Sequence, residues 1–267
     1  MRPFLHRQTD PISKSNEIPL AMFASGSQTT ANRFCLLAEA TAWRYRAAGR
    51  FVYGFVLGKL RHDPVYRTLL ARTIVPPDGL ILDLGCGRGI LLALLATART
   101  LGMMPGGSGG TRPCLYGVEL RAADADVARA ALGGEAEILR GDVRTAALPP
   151  CQVAILLDVL LYLERVEQDA VLARVVTVLA PGGLLIVREA DAGGGWRFIA
   201  TRLAERLCAL ARGHWQQKYC YRSAAEWRDK LESLGFVVDT QPMSEGTPFA
   251  NILFIARRAS LTSSTEK

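Results

Sequence analysis

The residues best placed for chemistry in this chain lie at Ile81–Gly89, reading Ile-Leu-Asp-Leu-Gly-Cys-Gly-Arg-Gly. An apolar strand runs into three alternate glycines, Gly85, Gly87 and Gly89, and then into an apolar helix that starts at Ile90. Glycine removes the side chain where backbone must turn tightly and come close to a ligand. The helix beyond offers free N–H groups and the positive end of its dipole, which suits an anionic or polar group. Several nucleotide folds share such a turn. Here the spacing is G-x-G-x-G after Asp83, with Cys86 where a small residue is needed, and not the G-x-G-x-x-G of dinucleotide enzymes. Carboxylates recur at the ends of later apolar runs: Glu119 after Leu115–Val118, Asp142 after Ile138–Gly141, and Asp158 after Val153–Leu157. A carboxylate at a strand's carboxyl end has two oxygens that accept two O–H bonds, a match for a vicinal diol.

Taken in order, these segments resemble the motifs of the class I S-adenosylmethionine-dependent methyltransferases. Asp83, Gly85, Cys86, Gly87 and Gly89 are similar to the first motif. Glu119, with Leu120 beside it, matches the acid that holds both ribose hydroxyls in that family. Asp142, followed by Val143, matches the acid that reaches the adenine amino group, and Asp158 matches the acid of the fourth motif. Leu179-Ala180-Pro181-Gly182-Gly183 and the strand after it resemble the fifth, so the likeness spans residues 79–258. It implies S-adenosyl-L-methionine as cofactor, and an α/β, Rossmann-like class I methyltransferase fold. That fold is a mostly parallel seven-stranded sheet with helices on both faces, here with an N-terminal helical cap and a helical insertion after strand five.

The elements around the motifs fit that plan. Residues 1–30 carry Pro, Ser, Thr and Gln with little periodicity and read as a mobile tail. Residues 31–75 read as a helical cap rich in aromatics, in which Asp63-Pro64 forms an N-cap and first-turn proline. The methyltransferase domain follows at 76–258, opened by the turn Pro76-Pro77-Asp78-Gly79, and residues 259–267 form a C-terminal tail. Within the domain, Gly102 to Thr111 reads as a surface insertion. A larger insertion, 193–222, begins with Gly193-Gly194-Gly195 as a hinge and continues as a helix from Trp196 to Arg212. Trp196, Ile199, Leu203, Leu207 and Leu210 recur at three and four residues, a stripe expected to pack on the core with the arginines solvated, the alternative being a lid that shapes the acceptor pocket together with the cap. Ser223-Ala224-Ala225-Glu226 is a capping box for the next helix.

Transfer from a sulfonium requires an acceptor aligned with the methyl group, exclusion of water, and at most a base on the acceptor. No metal is expected: Asp158 has no second acid and asparagine beside it. Among the three histidines, His214 falls nearest the expected pocket mouth, His62 lies between cap helices, and His6 lies in the tail. His214 and Tyr162 are therefore the catalytic candidates, with Tyr219 and Tyr221 as further pocket residues. Leu161 stands where many small-molecule members carry a histidine. The Asn/Asp-Pro-Pro-aromatic tetrapeptide of amino-group nucleic-acid methyltransferases is missing, as is the paired-glutamate loop of protein arginine methyltransferases.

A net charge of +7 invites a nucleic-acid partner, but the basic residues are spread without a dense run, so no specific nucleic acid is expected. Arg197, Arg202, Arg206, Arg212, Lys218 and Arg222 are the best local concentration. That face suits an acidic acyl carrier protein, or an amphipathic helix resting on an anionic membrane. Gly58–Tyr66 is also similar to cap sequences of bacterial methyltransferases of aryl-polyene pigment pathways, which implies an aromatic or polyketide-like acceptor. The leading expectation is a methyltransferase for a small or carrier-bound aromatic, polyketide-like or lipid-like acceptor. RNA or protein methylation, and a non-catalytic binding protein, are the alternatives. The six cysteines show no C-x-x-C pair, and the start lacks a continuous apolar segment, so a cytoplasmic protein with reduced thiols is expected. Glu119→Ala is expected to weaken S-adenosylmethionine binding by about 1.5–3 kcal/mol, through loss of charge-assisted bonds. Calorimetry of the variant checks this, and unchanged affinity refutes it.

Overall fold

Successive side chains of β1 (Leu80–Leu84) enter two different cores, Ile81 on one face and Leu82 and Leu84 on the other. The alternation is that of a strand buried on both sides, and it recurs in β4 (Cys151–Leu157) and β5 (Leu179–Ala190). The computed structural model describes residues 30–71, 79–103, 114–211 and 216–259. With β2 (Cys114–Glu119), β3 (Glu137–Arg140), β6 (Phe236–Pro242) and β7 (Asn251–Arg258), the strands form one seven-stranded sheet. Its order is β3-β2-β1-β4-β5-β7-β6. The first five strands pair in parallel; β7 runs antiparallel to both β5 and β6. The order reverses between β1 and β4, and ligands of open α/β sheets bind at the carboxyl ends beside such a switch point.

One face of the sheet is covered by α1 (Thr30–Trp43), α2 (Arg50–His62), α3 (Pro64–Ala71), α4 (Ile90–Thr100) and α5 (Ala122–Leu132). Leu37, Leu60 and Leu69 share a continuous apolar core with Leu92, Leu95 and Ile81, so the N-terminal helices pack into the body of the fold. The other face is covered by α6 (Arg165–Val178) and α8 (Ala224–Ser233) through Leu172, Val175, Trp227 and Leu231. The Ser223–Glu226 capping box forms at the start of α8 as its spacing predicts. Asp63 accepts a bond from the Val65 N–H at 3.2 Å and opens α3 at Pro64.

Three local features differ from the sequence reading. The Leu179–Gly183 turn belongs to β5 itself, as an irregularity between the Cys151–Leu179 and Val153–Leu184 pairs. Gly194 packs where a Cβ would meet that of Ala250 at 2.6 Å, and Asp191 accepts from the Gly193 and Ala224 N–H groups at 2.8 Å each. The glycine run is thus a pinned turn. The third difference concerns α7 (Trp196–Ala211): among the described residues none of its apolar side chains joins either core, and its apolar stripe faces outward. The expected tails and most of the Gly102–Thr111 insertion lie outside the described residues.

The helical layer is tied to the sheet's carboxyl edge by Arg188 of β5, a fully buried cation. Its guanidinium donates to Asp63 Oδ1 at 2.6 Å and, through Nε, to Asp158 Oδ1 at 2.9 Å, with a second bond to Asp158 Oδ2. Burial alone would lower the Arg188 pKa, but the carboxylates of Asp158 and Asp63 outweigh it and raise it. Asp63 is held below the usual carboxylate range: Arg188 and Lys59 overcome the effect of its burial. Removing one member of a buried ion pair strands its partners, at about 3–5 kcal/mol. Arg188→Met should lower unfolding free energy by that order in urea titration; a loss within error of zero would show that the clamp is not structural.

Candidate active site

A cavity of about 1100 Å³ opens along the carboxyl ends of β1, β2 and β4 and continues beneath α7. Gly85, Gly87, Glu119 and Leu120 line one end, and Asp142, Val143 and Asp158 continue the wall. Tyr162 lies at the mouth, half exposed, with its ring 5.6 Å from that of Tyr219. Asp83, Cys86 and Gly89 stand behind this surface and do not line it. His214 lies outside the described residues. His62, which sequence reasoning passed over in favour of His214, is on the cavity wall.

The glycine turn divides its work among three positions. Gly87 has φ +55°, and a Cβ there would project into open space, so its missing side chain leaves room beside the cavity. A Cβ on Gly85 would meet Val159 at 2.5 Å, and one on Gly89 would press on Ala128 of α5 at 3.0 Å, so these two permit packing. The Glu119 carboxylate receives the Gly87 N–H at 2.9 Å on one oxygen and the Arg121 N–H at 2.8 Å on the other. Each oxygen keeps a lone pair for a further donor, so the two can still receive a diol. Asp142 is more heavily engaged: Arg144 holds it through a two-pronged pair with Nε 3.0 Å from each oxygen, and that bonding lowers its pKa.

Four charged residues that motif spacing could not reveal complete the cavity. Lys59 and Asp63 come from the α2–α3 junction, Arg188 from β5, and Glu205 from α7. Burial raises the Glu205 carboxyl to about 6, and nearby Asp158 adds to the shift, while a short hydrogen bond from the Tyr221 hydroxyl opposes it. Tyr219 donates to the Glu205 backbone carbonyl at 3.2 Å and stacks on Tyr221 with ring centroids 6.1 Å apart. These tyrosines fix the Glu205 side chain at the wall. Gly54 and Gly58 of α2 also line the cavity, one turn apart, and a Cβ at either would meet nothing within 4 Å. Ala204, Ala209, Met243 and Phe249 add apolar lining. Glu189, buried behind Asp158, receives the Val159 and Leu160 N–H groups at 3.2 and 2.7 Å and supports the chain after β4 from within. Of the expected basic face, Arg222 is buried against Gln168 and Asp169, and Arg197 is bonded to the Ser244 and Thr247 carbonyls. Among the described residues, Arg202, Arg206 and Lys218 remain outward. No group of three His, Cys, Asp or Glu side chains suited to a metal occurs among the described residues.

Asp83 is buried at the end of β1, and burial followed by the charge of Glu119 pushes its carboxyl up to about 7. Between its ordinary value and about 7 the folded protein therefore holds a proton that the unfolded chain has released. Stability falls as pH rises through that window, by on the order of 1.4 kcal/mol per unit at most. Asp83→Asn removes this dependence. Its unfolding midpoint in urea, relative to the unsubstituted chain, should be higher at pH 8 than at pH 5; an equal difference at both would refute the assignment.

The family described as a methyltransferase domain matches residues 60–241. Comparison with curated proteins gave no match. Magnesium protoporphyrin IX methyltransferase from Synechocystis PCC 6803, solved with bound SAH, aligns at 16% identity over 90% of this chain and 92% of its own, with a TM-score of 0.52. A SAM-dependent methyltransferase from Methanosarcina mazei aligns at 17% identity over 71% and 97%, with a TM-score of 0.54. Human N-acetylserotonin methyltransferase, in complex with SAM, aligns at 17% over 93% of this chain and 65% of that one, with a TM-score of 0.51. At these identities the structural likenesses establish the fold, while the family match covers more than half of the chain, a span that includes the glycine turn and the strand-end acids. The chain belongs to the methyltransferase-domain family, and is a class I S-adenosylmethionine-dependent methyltransferase by descent and by fold.

Proposed function

We propose that this protein methylates a small, largely apolar acceptor, of aromatic, polyketide-like or lipid-like character, with Glu205 as the base that receives the acceptor's proton. The observation that carries the reading is the single cavity running from the glycine turn to Glu205. S-adenosylmethionine, when bound, supplies a methyl group on a sulfonium that already contains its leaving group. Glu119 is suited to the ribose hydroxyls, and Gly87 leaves space beside them. Asp142 retains acceptor capacity toward an adenine amino group while Arg144 holds it in place. Asp83 lies close behind the turn and supplies negative charge once ionised.

Gly54 and Gly58 leave the α2 side of the cavity without side chains, and Tyr162 with Tyr219 offers tilted aromatic faces for a planar acceptor. A carboxyl poised near 6 is ionised in neutral solution and can take a proton from a phenol or an enol. The magnesium protoporphyrin IX and N-acetylserotonin methyltransferases are named for small-molecule acceptors, which supports the same class here. A free acceptor accounts for the cavity. A carrier-bound one finds less support, since Arg197 and Arg222 are committed within the fold.

Glu205→Gln tests the proposal with radiolabelled S-adenosylmethionine and small-molecule, RNA and protein fractions of a cell extract. Label is expected in the small-molecule fraction, falling by roughly 10²–10⁴-fold in the variant with cofactor affinity unchanged. Because the base must be ionised, the rate should climb as pH rises through about 6, and this limb should vanish in the variant. Label confined to RNA or protein, or a variant with full activity, would overturn the reading.

A further inference from the structure

Helix α7 has two faces of different character, and only one of them is used by the fold. Thr201, Ala204, Glu205, Cys208 and Ala209 line the cavity. At 100° per residue these positions lie opposite the stripe of Trp196, Ile199, Leu203, Leu207 and Leu210. The stripe is 65%, 67%, 60%, 57% and 46% exposed, although side chains of this size are ordinarily buried. None of them joins either apolar core. A contiguous exposed apolar strip of this kind marks an interaction surface.

Charge identifies what the strip fits. Arg202 and Arg206 run along one edge of it, both exposed, and neither forms an ion pair with a carboxylate among the described residues. The helix contains one acid, Glu205, and that residue is on the cavity side. The outward face is therefore apolar and cationic with no negative charge. We propose that α7 lies in the interface of an anionic lipid bilayer, its stripe among the acyl chains and Arg202 and Arg206 at the phosphates. Apolar burial and attraction to anionic headgroups add for a helix of this pattern. The pairing of a second copy is disfavoured by the same charges: running two such helices antiparallel about a two-fold axis would oppose the arginines of one edge to their counterparts. No described helix is long and apolar enough to cross a membrane, so the contact is peripheral. It also places the roof of the cavity against the phase in which an apolar acceptor dissolves.

The test is co-sedimentation of the full chain with vesicles of phosphatidylcholine, with and without phosphatidylglycerol. Binding is expected to the anionic vesicles, to weaken with added salt, and to drop on the order of tenfold or more in Leu203→Glu/Leu207→Glu. Arg202→Glu/Arg206→Glu should abolish the preference for phosphatidylglycerol while leaving residual binding. Both variants should keep the calorimetric affinity for S-adenosylmethionine, which separates failure here from failure of the methyl-transfer reading. Absence of binding to anionic vesicles overturns the proposal. So does a dimer in light scattering that Leu203→Glu/Leu207→Glu dissociates, since the stripe then meets a second copy. Vesicle binding that appears only after deletion of residues 1–29 assigns the stripe to that segment and likewise overturns it. An acidic acyl carrier protein that binds the chain and blocks vesicle association through Arg202 and Arg206 would assign the face to a protein and do the same.

Discussion

The site depends on a buried guanidinium with a carboxylate on either side. Arg188 reaches from the fifth strand to Asp158, just after β4, and to Asp63, at the junction of two N-terminal helices. Without it, the helical layer and the sheet's carboxyl edge would present two acids to each other in a low-dielectric space. Charge neutralisation makes their approach favourable, and that approach creates the cavity wall. Asp158 also adopts a left-handed backbone, with φ 58°, which a non-glycine residue rarely takes without outside support. The Arg188 carbonyl receives the Asp158 N–H at 2.9 Å while its side chain holds the carboxylate. One residue thus secures both ends of the strained position.

The sheet and the glycine turn were legible because they are written in local spacing. Alternating apolar residues specify strands buried on two faces, and three glycines between a strand and a helix specify a tight turn, at which Gly87 leaves open space beside the cavity. Glu205, Arg188 and Lys59 were not legible. Each is an ordinary charged residue on a helix or strand, and its meaning comes from what the fold sets opposite it across long sequence separations. Position along the chain favoured His214, which lies outside the described residues, and gave no sign that His62 would line the cavity.

The α7 stripe shows how periodicity can find a face and misplace it. Spacing at three and four residues established an amphipathic helix, and the usual rule sends the larger apolar face inward. Here the inward face is made of Thr201, Ala204, Glu205, Cys208 and Ala209, small or polar groups that suit a cavity. Large side chains on that side would have filled the space the fold keeps open. The basic cluster differs from its expected form for a related reason, because Arg222 is committed to Gln168 and the half-buried Asp169, and Arg197 to two backbone carbonyls.

Gly54 and Gly58 bear on how such an enzyme changes over time. Each sits in a helix interior, where glycine is less favourable than alanine by roughly 0.5–1 kcal/mol, and neither is excused by a close neighbour. A methyl group added at either position would strengthen the helix and take up space in the cavity that both glycines line. Helix stability and cavity volume therefore pull in opposite directions along a single backbone. Glycine-to-alanine steps that the fold rewards narrow the cavity, and the reverse steps run against the helix's own preference.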